Sequence, residues 1–159
     1  MPREQTWPIS VEMQFLAGIE AGEPRPTGNM CSPGTLVRFE GVMDSRHCIN
    51  STSQTYYGDQ WVQAEILVLG VSLVTHLING DTVLQYSDPT VGGNVVSGHL
   101  KEQKQDGMRL KTGFIALQSE GQPIDFRNIR IRELKGCMDP QATNFKPWYQ
   151  VSDPAACTY

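Results

Sequence analysis

No stretch of this sequence approaches the roughly 20 consecutive apolar residues that a membrane-spanning helix needs, and the opening MPREQTWPIS has no apolar signal-peptide core. Basic residues are not in surplus either. With 13 Lys+Arg against 17 Asp+Glu and a formal net charge of -4, the positive footprint that phosphate backbones select is missing, which argues against a nucleic-acid partner. None of the four cysteines stands at CxxC spacing and few histidines accompany them, so a zinc knuckle is disfavoured. No segment carries apolar residues at a capped 3.6-residue period, which limits helices to short pieces. No compact loop offers oxygen ligands at the spacing of a hard-cation site. No cofactor is implied, and a divalent cation is left open.

What the chain does have is turns and alternation. Its 159 residues suit one domain with a sizeable core, and 15 Gly, 10 Pro, 39% hydrophobic and 19% charged residues describe a turn-rich globular protein. In PISVEMQFL, Ile9, Val11, Met13 and Phe15 alternate with Ser10, Glu12 and Gln14, the pattern of a strand with one dry and one polar face. A Gly/Pro-rich loop follows, then TLVRFEGV as a strand and MDSRHCINSTSQTYYGD as a second long loop. QWVQAEILVLG resumes as a strand with Val62, Ala64, Ile66 and Val68 on one side and Trp61, Gln63, Glu65 and Leu67 on the other. VSLVTHLINGDTVLQY places Asn79-Gly80 between two β-prone runs, which predicts a hairpin with a type I′ turn. From Ser87 to Gly113 the pattern is that of a third loop, with a charged stretch from Lys101 to Lys111.

GFIALQSEGQPIDFRNIRIREL, residues 113–134, predicts two final strands. The second changes phase: Ile124 and Phe126 share a parity that Ile129 and Ile131 do not, so a β-bulge is expected at Arg127-Asn128. It would either turn Arg127 toward a cleft or pair it with a buried acid. The expected fold is all-β, a two-sheet jelly-roll sandwich over residues 1–135. Residues 136–159 lack strand pattern and are bracketed by cysteines, and read as a stapled appendage. Of three possible pairings, Cys31–Cys48 with Cys137–Cys157 is the simplest, and disulfides imply an oxidising compartment.

Several of these stretches together resemble the 3-keto-disaccharide hydrolase domain, a concanavalin A-like sandwich of secreted bacterial proteins. PISVEMQFLAG, GEPRPTGNMCSPGT, HCINSTSQTYYGDQWVQAEILVLG, THLINGDTVLQY and GFIALQSEGQPIDFRNIRIREL occur in the family's order and cover Pro8 to Leu134. The tail GCMDPQATNF with DPAACTY resembles a cysteine-bracketed C-terminal segment of secreted Bacteroidetes-type proteins. Both resemblances imply a secreted or periplasmic location. Relative to the family pattern, N-terminal strands are expected to be lacking, and Tyr57 and Glu120 stand where relatives place His. A sandwich short of strands would expose an edge, which leaves homo-oligomerisation open.

The resemblance implies a carbohydrate partner and an unusual chemistry. A ketone at C3 of a sugar acidifies the C2 proton; a base removes it, the glycosidic oxygen leaves C1, and water adds back. Glu12 and His76 are the candidate base or acid, with Gln14, Arg127 and Glu120 positioning hydroxyls and the developing oxyanion. Gln63, Glu65, Trp61 and Gln118 complete the expected substrate-binding set. Each has a plainer reading. Glu12 and Gln14, like Gln63 and Glu65, could be a solvated sheet face, His76 a hydrogen-bonded core residue and Trp61 core filling; Asp59 could ligate a cation or hold a turn, while His47 and His99 read as exposed loop residues. The competing functions are a non-catalytic lectin-like module and conventional two-carboxylate glycoside hydrolysis.

Overall fold

The computed structural model describes residues 7–159 apart from Val95, Gly98 and Leu100. The chain packs as two compact units, Met1–Ile115 and Ala116–Tyr159, dividing ahead of the change in composition at Gly136.

The described part of the first unit contains β1 (Glu12–Gln14), β2 (Asn29–Cys31), β3 (Thr35–Phe39), β4 (Val42–Asp44), β5 (Cys48–Ile49), β6 (Ala64–Leu69), β7 (Leu73–Ile78) and β8 (Asp81–Val91). They form a small antiparallel sheet in the order β1-β2-β5 and a larger one in the order β4-β3-β8-β7-β6. Alternation decides what each sheet buries. Met13, Met30 and Ile49 lie across from one another in register. Met30 and Ile49 meet Val37, Val74, Leu84 and Tyr86 of the larger sheet, with Val11 and Phe39 packed against them. Each such buried side chain stabilises the fold by roughly 1.5–3 kcal/mol. The protein is therefore an all-β sandwich, as the alternating segments predict.

The smaller sheet does not cover all of the larger one. Edge strand β6 places Ile66 opposite His76 and Val68 opposite Val74, on the core-facing side, yet these two residues are 52% and 51% exposed.

The Asn79-Gly80 hairpin forms as expected, with φ of 52° and 90° at its two centres. Elsewhere the elements differ from the sequence reading. TLVRFEGV is not one strand but the start of a second hairpin, β3 to β4, whose Glu40 and Gly41 both have positive φ. β2 and β5 lie inside segments read as loops, because strands of three and two residues are too short to show a period. β8 runs on through Pro89 to Val91, its ladder with β3 shifting register between Leu36 and Arg38. Asp88 takes φ 48° there and is held by Arg38 and Arg109 at 3.3 and 3.1 Å.

No strand runs through 113–134, and this corrects the expected terminal hairpin. Alternation marks a chain able to lie extended; a strand also needs a neighbour's backbone to pair with. Phe114, Ile115, Ile129 and Ile131 are all exposed. Asn128 does break the phase, with φ 56°, but without a ladder this is not a bulge. The rest of the second unit is small: β9 (Lys135–Gly136) pairs in parallel with β10 (Val151–Ser152), and Cys137 joins Cys157. The Cys31–Cys48 bridge also forms, so both expected pairings are present.

Candidate functional site

Because Met13 faces the core, Glu12 and Gln14 face away from it on the outer side of the small sheet. Glu12 lies opposite Cys31, which bonds to Cys48 on the next strand, and Gln14 lies opposite Asn29. Ser10 Oγ donates to Glu12 Oε1 at 3.3 Å. Asn29 is 3% exposed and its side chain is fully engaged in tying down the neighbouring loops. Its Nδ2 donates to Pro26 O at 3.1 Å and its Oδ1 accepts from Ser51 N at 2.8 Å. Ser51 Oγ in turn donates to Thr27 O at 2.6 Å.

These bonds bring two loops side by side, and a shallow cleft of about 530 Å³, open to solvent, lies between them. Gly22, Pro24 and Pro26 form one side; the run from Ser51 to Thr55, with Tyr57, forms the other. Thr55 Oγ1 accepts from Arg25 N at 2.7 Å, and Tyr57 Oη donates to Glu23 O at 3.3 Å. The Tyr57 ring rests against Gly18, where a Cβ would come within 2.2 Å of ring carbon Cε1. Every residue lining this cleft is uncharged. The polar run STSQT, read from sequence as loop, was its signal.

His76 sits elsewhere. It is 0% exposed, with Nδ1 2.9 Å from Gly28 O and Nε2 3.0 Å from Tyr86 Oη. A carbonyl oxygen only accepts, so Nδ1 carries the proton and Nε2 accepts from the tyrosine hydroxyl. Burial lowers the His76 pKa below that of a free imidazole, outweighing the opposite effect of the Gly28 bond. Burial also pushes the Tyr86 hydroxyl upward. This neutral pair ties the turn before β2 to strands β7 and β8, where no substrate can touch it.

The remaining expected site residues of the first unit lie outside β1 and β2. Gln63 Nε2 donates to Glu65 Oε1 at 2.5 Å, on the outer side of the larger sheet, since Glu65 lies opposite Leu77 rather than His76. The two acid-bearing pairs, Glu12–Gln14 and Gln63–Glu65, thus face away from the core on different sheets. Trp61 and Asp59 are exposed. Gln118, Glu120 and Arg127 belong to exposed chain of the second unit. His47 and His99 are half-buried, not exposed as expected. Among the described residues no three His, Cys, Asp or Glu side chains are grouped to hold a metal ion, and no helix is long and apolar enough to cross a membrane.

The model of the 3-keto-alpha-glucoside-1,2-lyase-like domain matches residues 1–132. The chain belongs to this family. Membership accounts for the concanavalin-like sandwich and supports a carbohydrate-active function for the lyase-like domain. No curated protein and no solved structure gives a significant match. Two disulfides in so short a chain are consistent with an extracellular or periplasmic protein.

Proposed function

We propose that this is a secreted enzyme domain that cleaves 3-keto-glycosides by elimination, with Glu12 as the base. The observation that carries the reading is the family match over residues 1–132, within which Glu12 and Gln14 share the outer face of β1. The C3 ketone of such a substrate acidifies the C2 proton, which passes to the Glu12 carboxylate, leaving the electron pair delocalised onto the ketone oxygen as an enolate. The C1–O bond then breaks as the C1–C2 double bond forms, and the departing glycosidic oxygen takes a proton from water. The hydroxide so formed adds at C1 while the Glu12 proton returns to C2, which regenerates the carboxylate and gives the 3-keto sugar. Gln14, whose side-chain amide can donate, is the proposed partner of the enolate oxygen. His76 is assigned a positioning part only, because it cannot reach solvent.

A 3-keto-α-glucoside and its unoxidised parent, each incubated with the protein, test this. Cleavage of the keto substrate alone is expected, and Glu12→Gln should lower kcat by about 100-fold or more. Turnover within a few-fold of the parent would show that the base is another group. Binding of the sugar without any turnover would make the domain a lectin-like module, and cleavage of the unoxidised glycoside would point to two-carboxylate hydrolysis.

A further inference from the structure

The cleft beside the small sheet is not part of the chemistry just described, yet its composition is selective. A cation or an anion needs a formal charge to offset its desolvation, and the lining offers none. Hydroxyl and amide groups interleaved with proline rings and one tyrosine suit a ligand that is neutral, hydroxylated on its edges and apolar on its faces. A pyranose ring has that character. Its C–H faces lie well on an aromatic surface, whose π-cloud is negative.

We propose that this cleft is a subsite for a neutral pyranose ring, with Tyr57 as the stacking platform and Gly18 as the residue that lets the platform lie flat. The assignment rests on the carbohydrate-active reading above and adds to it where a second sugar ring is held. Tyr57 is 41% exposed, its hydroxyl is anchored on Glu23 O and one side of its ring is taken up by the Gly18 backbone. A side chain at position 18 would displace the ring, or Thr55, whose Cγ2 stands 2.8 Å from the Cβ position. The cleft wall is tied to the small sheet through Asn29. Asn29 holds Ser51 at the cleft wall and lies across from Gln14, and Glu12 is two residues, roughly 7 Å, further along β1.

The test is a titration of the full chain with maltose, which lacks the ketone and so binds without reacting, followed through backbone amide NMR shifts. Saturable shifts centred on residues 22–26 and 51–57 are expected. Tyr57→Ala should weaken binding about tenfold, Tyr57→Phe should change it less than about twofold, and Gly18→Ala should behave like Tyr57→Ala. Should Gly18→Ala fail to fold, the two Tyr57 variants decide the matter alone. Shifts centred elsewhere, no saturable binding, equal affinity of Tyr57→Ala and parent, or inorganic phosphate shifting the same amides would each overturn the assignment. Loss of the elimination reading would show separately, as absent turnover of the keto substrate with the maltose shifts intact.

Discussion

The His76–Tyr86 pair makes a quantitative claim about what holds the two sheets together. His76→Leu keeps an apolar side chain in the core but leaves Gly28 O and Tyr86 Oη buried without the partners they have now. An unsatisfied buried polar group costs about 1–3 kcal/mol, so the variant should lose roughly 2–5 kcal/mol in urea unfolding. Tyr86→Phe strands only Nε2 and should cost about 1–2 kcal/mol. Because the double variant removes a polar group that His76→Leu alone would orphan, its loss should fall short of the sum by about 1 kcal/mol. The pH dependence has a definite sign. Burial depresses the folded-state pKa of His76, so between that value and the unfolded value of about 6.5 the unfolded chain binds the extra proton. Stability due to the neutral pair is full above about pH 6.5 and falls as pH drops below it, by up to about 1.4 kcal/mol per unit. The difference between parent and His76→Leu should shrink over that range. A difference that stays constant from neutral to acidic pH, or additive losses in the double variant, would refute the hydrogen-bonded neutral pair.

Three further outcomes follow from other parts of the fold. Gly80→Ala should cost about 1–2 kcal/mol through its positive φ alone, since nothing lies within 4 Å of the added Cβ; thermal unfolding of the variant checks it. Replacing Cys31 and Cys48, 17 residues apart, or Cys137 and Cys157, 20 apart, with serine pairs should each cost about 3 kcal/mol in the chain-entropy model. Mass analysis of a non-reduced digest should recover both linkages, and four free thiols would contradict the oxidised fold. Ile131→Lys, at a residue 77% exposed, should shift urea stability by no more than about 0.5 kcal/mol, and a loss above about 2 kcal/mol would show that the residue is packed.

Alternation, turn chemistry and composition were enough to determine the all-β class, the Asn79-Gly80 hairpin and the outward placement of Glu12 and Gln14, each of which depends on neighbours within a few positions. The cysteine pairs present are the simplest of the three the sequence allowed. What lay beyond such reach was decided by packing. His76 alternates with Val74 and Ile78 whether it is core or catalyst, and only Gly28, 48 residues away, settles that it is buried. β2 and β5 owe their pairing to partners, not to period, and residues 113–134 show the converse, with period but no strand. The cleft was legible only as the polar run STSQT, because its two walls are loops distant in sequence that the Asn29 side chain of β2 ties together. A side chain's face follows from local backbone geometry, whereas a site exists only where distant segments meet, and that meeting is fixed by the free energy of the whole packed core.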